Sequence, residues 1–254
     1  PLHPHGTEMA GLALFGDLHA AIVSSLPVQL GHRLESVKLL PDRGDNDRDL
    51  HGAITARSVD RPEIQALDRA RVFMLAVTAP NTTLNHRAGS PAPSPEAGRP
   101  TSWSATIDAL TFGRAIDDTD PKFTYLDRDE PRHPRLFVVS AGNIDVHDLN
   151  PAEHHLDRSD LEPVEDPGQS WNALTVGAYA ARDDMSDAPV AFAGYVPVAP
   201  RGELSPVSRT SVTYEPTKWP FKPDVVADGG NVAASPDRSS IDTPENLSLL
   251  TTRQ

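Results

Sequence analysis

Phe137-Val138-Val139-Ser140-Ala141-Gly142-Asn143 is an apolar run that closes on small residues, a glycine and an amide. It predicts a short buried strand over Leu136 to Val139. The glycine then lets the backbone turn and leaves the side chain of Asn143 pointing into a cleft. Upstream, Arg71-Val72-Phe73-Met74-Leu75-Ala76-Val77 is a second continuous apolar run, of the kind a parallel strand needs when both its faces are covered. Between the two, Thr101-Ser102 caps a helix that carries Trp103, Ile107 and Leu110. Downstream, Ala173 to Ala178 and Val225-Val226-Ala227 add two more strands. Strands alternating with helices imply an α/β fold with a mostly parallel sheet and right-handed crossovers.

Working outward, Gly6 to Ile22 has small and apolar residues at helical spacing and predicts one buried helix, with Thr7 capping its first turn. Leu34 to Leu40 alternates apolar and polar residues and stops at Pro41-Asp42-Arg43-Gly44, which reads as strand and turn. Ala53 to Val59 predicts a short helix. Three stretches, near 79–100, 117–134 and 145–170, are polar and broken by proline and glycine, and are expected as surface insertions. No internal repeat is present, and we read residues 1–254 as one domain.

The net charge of -13 is spread along the chain rather than blocked, and it argues against nucleic acid or an anionic membrane as partner, since phosphate binding needs clustered Lys and Arg. No run of about eighteen apolar residues exists to span a bilayer. The first residues carry no signal-peptide pattern, although Pro1 is not a natural start. The chain has no cysteine, which removes disulfides, thiolate nucleophiles and zinc-thiolate sites and leaves the redox compartment open.

Near the start, His5-Gly6-Thr7-Glu8-Met9-Ala10-Gly11 places a histidine at the mouth of a helix that begins with small residues. An imidazole there can take a proton from a hydroxyl and return it to a leaving amine near neutral pH. With Ser140-Ala141-Gly142-Asn143 and Lys222-Pro223-Asp224-Val225-Val226-Ala227 following in that order, the chain resembles the subtilisin-like serine proteases, peptidase family S8. The resemblance covers roughly Leu2 to Ala234. It implies a three-layer, doubly wound sandwich around the parallel sheet, cut at both ends of this chain, and a peptide or protein as substrate.

On the same resemblance, His5 is the general base and Asn143 donates a hydrogen bond to the oxyanion of the tetrahedral intermediate. The family's aspartate would precede Pro1 and its serine would follow Gln254. Substrate would lie between two cleft-edge segments, Leu75-Ala76-Val77 with Thr78 and Ser140-Ala141-Gly142, dropping one side chain between them. Leu75-Ala76-Val77-Thr78 departs from the family's usual Ser-Leu-Gly-Gly, with β-branched Val77 and Thr78 in place of residues that leave an open edge, a change that either hinders substrate pairing or narrows the pocket. The Lys222 segment has a structural job in the family. No Gly-Thr-Ser-x-Ala motif occurs anywhere, and Ser211, preceding Lys222, is a poor substitute.

Asp42, Asp45, Asp47 and Asp49 alternate in a turn but lack the glycine and terminal glutamate of a calcium loop, so they read as a solvated acidic loop. No metal ligand and no cofactor is assigned, with calcium the one ion the resemblance leaves open. His133, His147, His154 and His155 have no zinc-helix spacing and read as surface residues. The preferred function is a serine endopeptidase whose isolated segment hydrolyses no peptide. The alternatives are an inactive protease-like peptide-binding module, and an unrelated α/β hydrolase, against which the absence of a Gly-x-Ser-x-Gly elbow counts.

Overall fold

The computed structural model describes residues 4–24, 26–41, 44–79, 98–114, 116, 133–211 and 220–253. Four short strands, β1 (Val72–Leu75), β2 (Leu136–Ser140), β3 (Leu174–Tyr179) and β5 (Val225–Asp228), pair in that order in one sheet, and every pairing is parallel. All four coincide with the apolar runs read from the sequence. The α/β class with a parallel sheet and flanking helices is observed.

Helices α3 (His51–Gln65) and α4 (Ser102–Thr111) pack on each other and cover one face of this sheet. Ala56, Val59, Trp103, Ile107 and Leu110 meet Leu75, Phe137, Val139 and Ala173 there. The rings of Phe73 and Phe137, register partners across β1 and β2, stack with centroids 5.1 Å apart. Each fully buried side chain of the size of Phe137 or Leu110 contributes about 1.5–3 kcal/mol. α4 starts where the sequence says, because Thr101 Oγ1 accepts from the amides of Trp103 and Ser104 while Ser104 Oγ accepts from Thr101 N. On the other sheet face Val72, Met74, Leu136, Leu174 and Val225 are exposed among the described residues.

The predicted helix over 6–22 is two helices, α1 (His5–Phe15) and α2 (Leu18–Val23). Gly16 takes φ 65° and ends the first, and Asp17 then caps the second by accepting from His19 N. The N-cap of α1 is Pro4, already in a helical conformation, so Thr7 lies inside the first turn and caps nothing. Nor is it a buried helix, since Gly11 is its one buried residue.

Leu34 to Leu40 does not form the predicted strand. Among the described residues no neighbouring backbone accepts it into a ladder; Glu35 instead holds the segment to the approach of β1 through Arg69 and Arg71. The short helix read over 53–59 extends to the full length of α3, fed by a 3-10 turn at Arg48–Leu50 that Asp47 caps. Residues 80–97, 117–132 and 42–43 lie outside the described residues, which takes in most of the first two expected insertions and Asp42 of the acidic turn.

The third insertion is corrected. Residues 145–170 include helix α5 (His155–Leu161), and His155, Ser159, Glu162, Val164, Gln169 and Ser170 are buried, His155 therefore not being a surface residue. Polar composition misled because Ser159, Glu162 and Ser170 find partners inside the protein, on His155 O, Arg209 and Asp108, rather than in solvent. A small antiparallel sheet of β4 (Val196–Pro197), β6 (Ala233–Ala234) and β7 (Ile241–Asp242) had no signal in the sequence.

Candidate active site

β1 and β2 end side by side, with Leu75 in register with Val139. The chain leaving β1 runs through Ala76, Val77 and Thr78 to Ala79, and the chain leaving β2 through Ala141 and Gly142 to Asn143. The irregular segment 162–168 runs between them. Ala79 and Asp166 bond reciprocally through their backbones, Glu165 N donates to Ala141 O at 2.9 Å, and Ala141 N donates to Val176 O at 3.0 Å. The two predicted substrate-binding segments, Leu75-Ala76-Val77 and Ser140-Ala141-Gly142, are therefore brought together at one edge of the sheet.

Asn143 is exposed, and its backbone is anchored. It bridges Ser208, and its carbonyl accepts from Arg209 Nε at 2.8 Å. Gly142 reaches this position with φ 92°, a left-handed conformation that a Cβ would strain. Arg209 is almost fully buried and joins three elements, pairing with Glu162 at 2.8 Å and Glu165 at 3.2 Å. Arg158 adds a further contact to Glu162. Two carboxylates against two guanidiniums leave the cluster electrically balanced, which is the condition for burying it.

His5 is the first residue of α1 and is exposed. α1 packs on α2, and the segment 250–253 is laced along it. Thr251 Oγ1 donates to Glu8 O and Thr252 Oγ1 to Thr7 O, both at 2.6 Å, while Leu18 N donates to Leu250 O at 3.0 Å. The lacing explains why Gly11 has no side chain, since a Cβ there would lie 2.4 Å from Thr252 Oγ1. Among the described residues no hydrogen bond joins His5 to Asn143, so the structure assembles the edge segments with Asn143 and leaves His5 on a separate element.

Lys222, 4 % exposed, donates from Nζ to Ala173 O at 3.1 Å and to Asp224 Oδ2 at 2.7 Å, and Asp224 Oδ2 accepts from Thr175 N at 2.7 Å. The Lys-Pro-Asp segment thus locks β5 to β3. Ser211 is buried and its Oγ accepts from Lys222 N, so its hydroxyl is engaged in the same lock. Among the described residues no group of three or more His, Cys, Asp or Glu side chains is placed to hold a metal ion.

A cavity of about 220 Å³ opens on the far side of the Val77-Thr78-Ala79 edge, lined among others by Leu39, Ile54, His51 and Trp103. The His51 and Trp103 rings lie 4.6 Å apart, and Trp103 Nε1 donates to Thr55 Oγ1 at 2.9 Å. Burial holds the His51 imidazole below its ordinary pKa. Sequence reasoning missed Glu165, Arg209 and this cavity. The one available signal was the glutamate of Pro163-Val164-Glu165-Asp166-Pro167-Gly168, an acid set among residues that favour a fixed turn.

The chain matches the model of the Subtilase family, Peptidase_S8, over residues 2–253. Among solved structures it is similar to the prenylagaramide maturation protease PagA, at 13% sequence identity and a TM-score of 0.35, with 83% of this chain and 48% of that chain covered. This chain therefore spans about half the length of that protease. Comparison with curated protein sequences returned no match.

Proposed function

Because the chain belongs to the subtilase family, we propose that it supplies the substrate cleft, the general base and part of the oxyanion hole of a serine endopeptidase, within a single catalytic domain that includes all of residues 1–254. The observation that carries this reading is the lacing of Thr251 and Thr252 along the first turns of α1. Thr251 meets Glu8 and Thr252 meets Thr7, so this segment runs antiparallel to the first turn of α1, toward the end that bears His5, where the serine that the family pattern calls for would meet the imidazole. An aspartate ahead of Pro1 would fix the imidazole tautomer and stabilise the imidazolium.

In this mechanism the peptide lies between the Leu75-Ala76-Val77 and Ser140-Ala141-Gly142 edges. His5 accepts the proton of the serine hydroxyl as the oxygen attacks the scissile carbonyl, and returns it to the leaving amine. The Asn143 amide donates to the carbonyl oxygen as negative charge develops on it. Loss of such a donor costs about a hundred- to a thousandfold in turnover; the worked case behind that figure is a subtilisin, so the magnitude is borrowed. The anchoring of the Asn143 backbone by Arg209 supports the role, because a preorganised donor need not reorient during the reaction.

The test is a fluorophosphonate probe applied to the intact protein, wild type and His5→Ala, with the labelled residue mapped by mass spectrometry. Label on a serine outside residues 1–254, lost in the His5 variant, is the expected result. Absence of label on a folded protein that still binds peptides would favour the second reading, an inactive peptide-binding module. The β-branched Val77 and Thr78 at the cleft edge are the observation on its side.

A further inference from the structure

We propose that Glu165 is the residue that decides which side chain the cleft accepts, by filling the slot between its two edges and restricting it to small residues such as alanine and serine. The proposal rests on the reading that peptide lies between the Leu75-Ala76-Val77 and Ser140-Ala141-Gly142 segments. A substrate side chain directed between those segments would enter the space bounded by Thr78 on one side and Gly142 on the other. Glu165 already spans it.

On the Thr78 side, Thr78 Oγ1 donates to Glu165 Oε2 at 2.6 Å. On the Gly142 side, the Glu165 side chain lies against the bare Cα, so close that a Cβ built on Gly142 would sit 2.6 Å from Oε2, 2.7 Å from Cγ and 2.8 Å from Cβ of Glu165. The side chain is 11% exposed, and it is held from behind by Arg209 Nη2 at 3.2 Å from Oε1. Its backbone is pinned at both ends, by Glu165 N to Ala141 O and by Gly168 N to Glu165 O at 2.7 Å. A residue fixed at that many points does not swing aside without breaking hydrogen bonds to charged groups.

The charge balance decides between a plug and a receptor for cations. An unpaired carboxylate at the base of a slot would attract lysine or arginine. Here Oε1 faces Arg209, which Glu162 and the Asn143 carbonyl orient, and Oε2 is occupied by the Thr78 hydroxyl. The carboxylate is compensated, so its effect on a substrate is mainly steric, and a large apolar side chain has no room.

Equilibrium binding of product-like peptides to the intact protein tests this without requiring turnover. The probes are short succinylated peptides that end in Ala, Phe or Lys and are otherwise identical, measured by fluorescence anisotropy with wild type, Glu165→Gln, Glu165→Ala and Glu165→Gly. The expected pattern is that wild type prefers the Ala peptide over Phe by at least tenfold. Glu165→Ala and Glu165→Gly should raise affinity for Phe at least tenfold while leaving Ala within about threefold, and Glu165→Gln, which keeps the volume, should leave the Ala-to-Phe ratio unchanged. Wild-type preference for Phe, or an unchanged ratio in Glu165→Gly, would overturn the proposal. A preference for Lys that vanishes in Glu165→Gln would overturn it too, by making Glu165 a cation receptor. Thermal melts of each variant guard against unfolding, and Thr78→Ala, which removes the latch but not the plug, gives a second route with a smaller expected gain for Phe. Failure of fluorophosphonate labelling with this binding pattern intact would count against the enzyme reading alone.

Discussion

Thr101 Oγ1 donates to Asp166 Oδ2 at 2.6 Å, tying the cap of α4 to the segment 162–168 that lies between the chains leaving β1 and β2, while Asp166 Oδ1 is buried with no hydrogen-bond partner. Burial pushes the Asp166 carboxyl up to about 6, against a smaller opposing effect of the Thr101 hydroxyl. The folded protein therefore holds this proton to a higher pH than the unfolded chain does. Stability from this group is fully present below about pH 4, falls as pH rises to about 6, and is level above that, a loss of up to about 3 kcal/mol. His51 and His155, whose pKa values burial depresses, act in the opposite sense as pH rises toward 6.5. The measurement is thus a difference. Urea midpoints of wild type should decline relative to Asp166→Asn between pH 4 and 6.5, and parallel curves would show that Asp166 does not titrate in this window.

Gly52 sets the spacing of α3 and α4, because a Cβ at that position would lie 2.4 Å from Thr106 Oγ1. Gly52→Ala should destabilise by about 1–3 kcal/mol through overpacking, although alanine favours an isolated helix by about 1 kcal/mol. In a Thr106→Ala background the same substitution should be neutral or stabilising, and a double-mutant cycle of chemical melts measures the coupling.

Asp17 links the start of α2 to the last described segment. Its carboxylate accepts from Leu250 N at 3.1 Å and pairs with Arg182 at 2.6 Å, and Arg182 also reaches Ser248 O. Asp17→Ala should accelerate amide exchange at residues 248–253 and fray α2, whose cap it also removes, at a cost of about 1–3 kcal/mol. Arg182→Gln should accelerate exchange at 248–253 and leave α2 intact. Unchanged exchange at Leu250 in both variants would count against the lacing of this segment to α1 and α2.

Val72, Met74 and Leu136 lie 61%, 48% and 48% exposed on the sheet face opposite α3 and α4. A double change of Met74 and Leu136 to threonine in the 254-residue chain should alter its stability by no more than about 0.5 kcal/mol and lower its self-association in sedimentation velocity. A large loss of stability would mean that the face is covered within this chain.

The four strands of the parallel sheet and the start of α4 were legible because their signals are local. A continuous apolar run finds cover wherever it goes, and the Thr101 and Ser104 hydroxyls meet amides three residues away. That 76–78 and 141–143 leave the ends of β1 and β2 followed from the same runs, since a strand end fixes what comes next. Leu34 to Leu40 shows the limit. Its alternation is that of a strand, yet a strand needs a partner ladder, and whether one is in reach is not written in the segment itself. The exposed polar residues of α3, among them Arg57, Asp60 and Arg61, hid its length for a related reason: capping and packing partners outside 53–59 extend it.

Sequence by itself determined the α/β class, the register-bearing strands and the family, because these rest on short-range patterning and on motifs in a given order. The tertiary structure alone decided that Glu165 lies between Thr78 and Gly142. Thr78 and Glu165 are 87 positions apart, and Glu165 sits in a stretch whose composition reads as solvated surface. The Glu165 carboxylate is compensated because a guanidinium and a hydroxyl converge on it, and that convergence is a property of the folded path of the chain, set by parallel pairing of β1 with β2 and by Arg209 arriving from another turn.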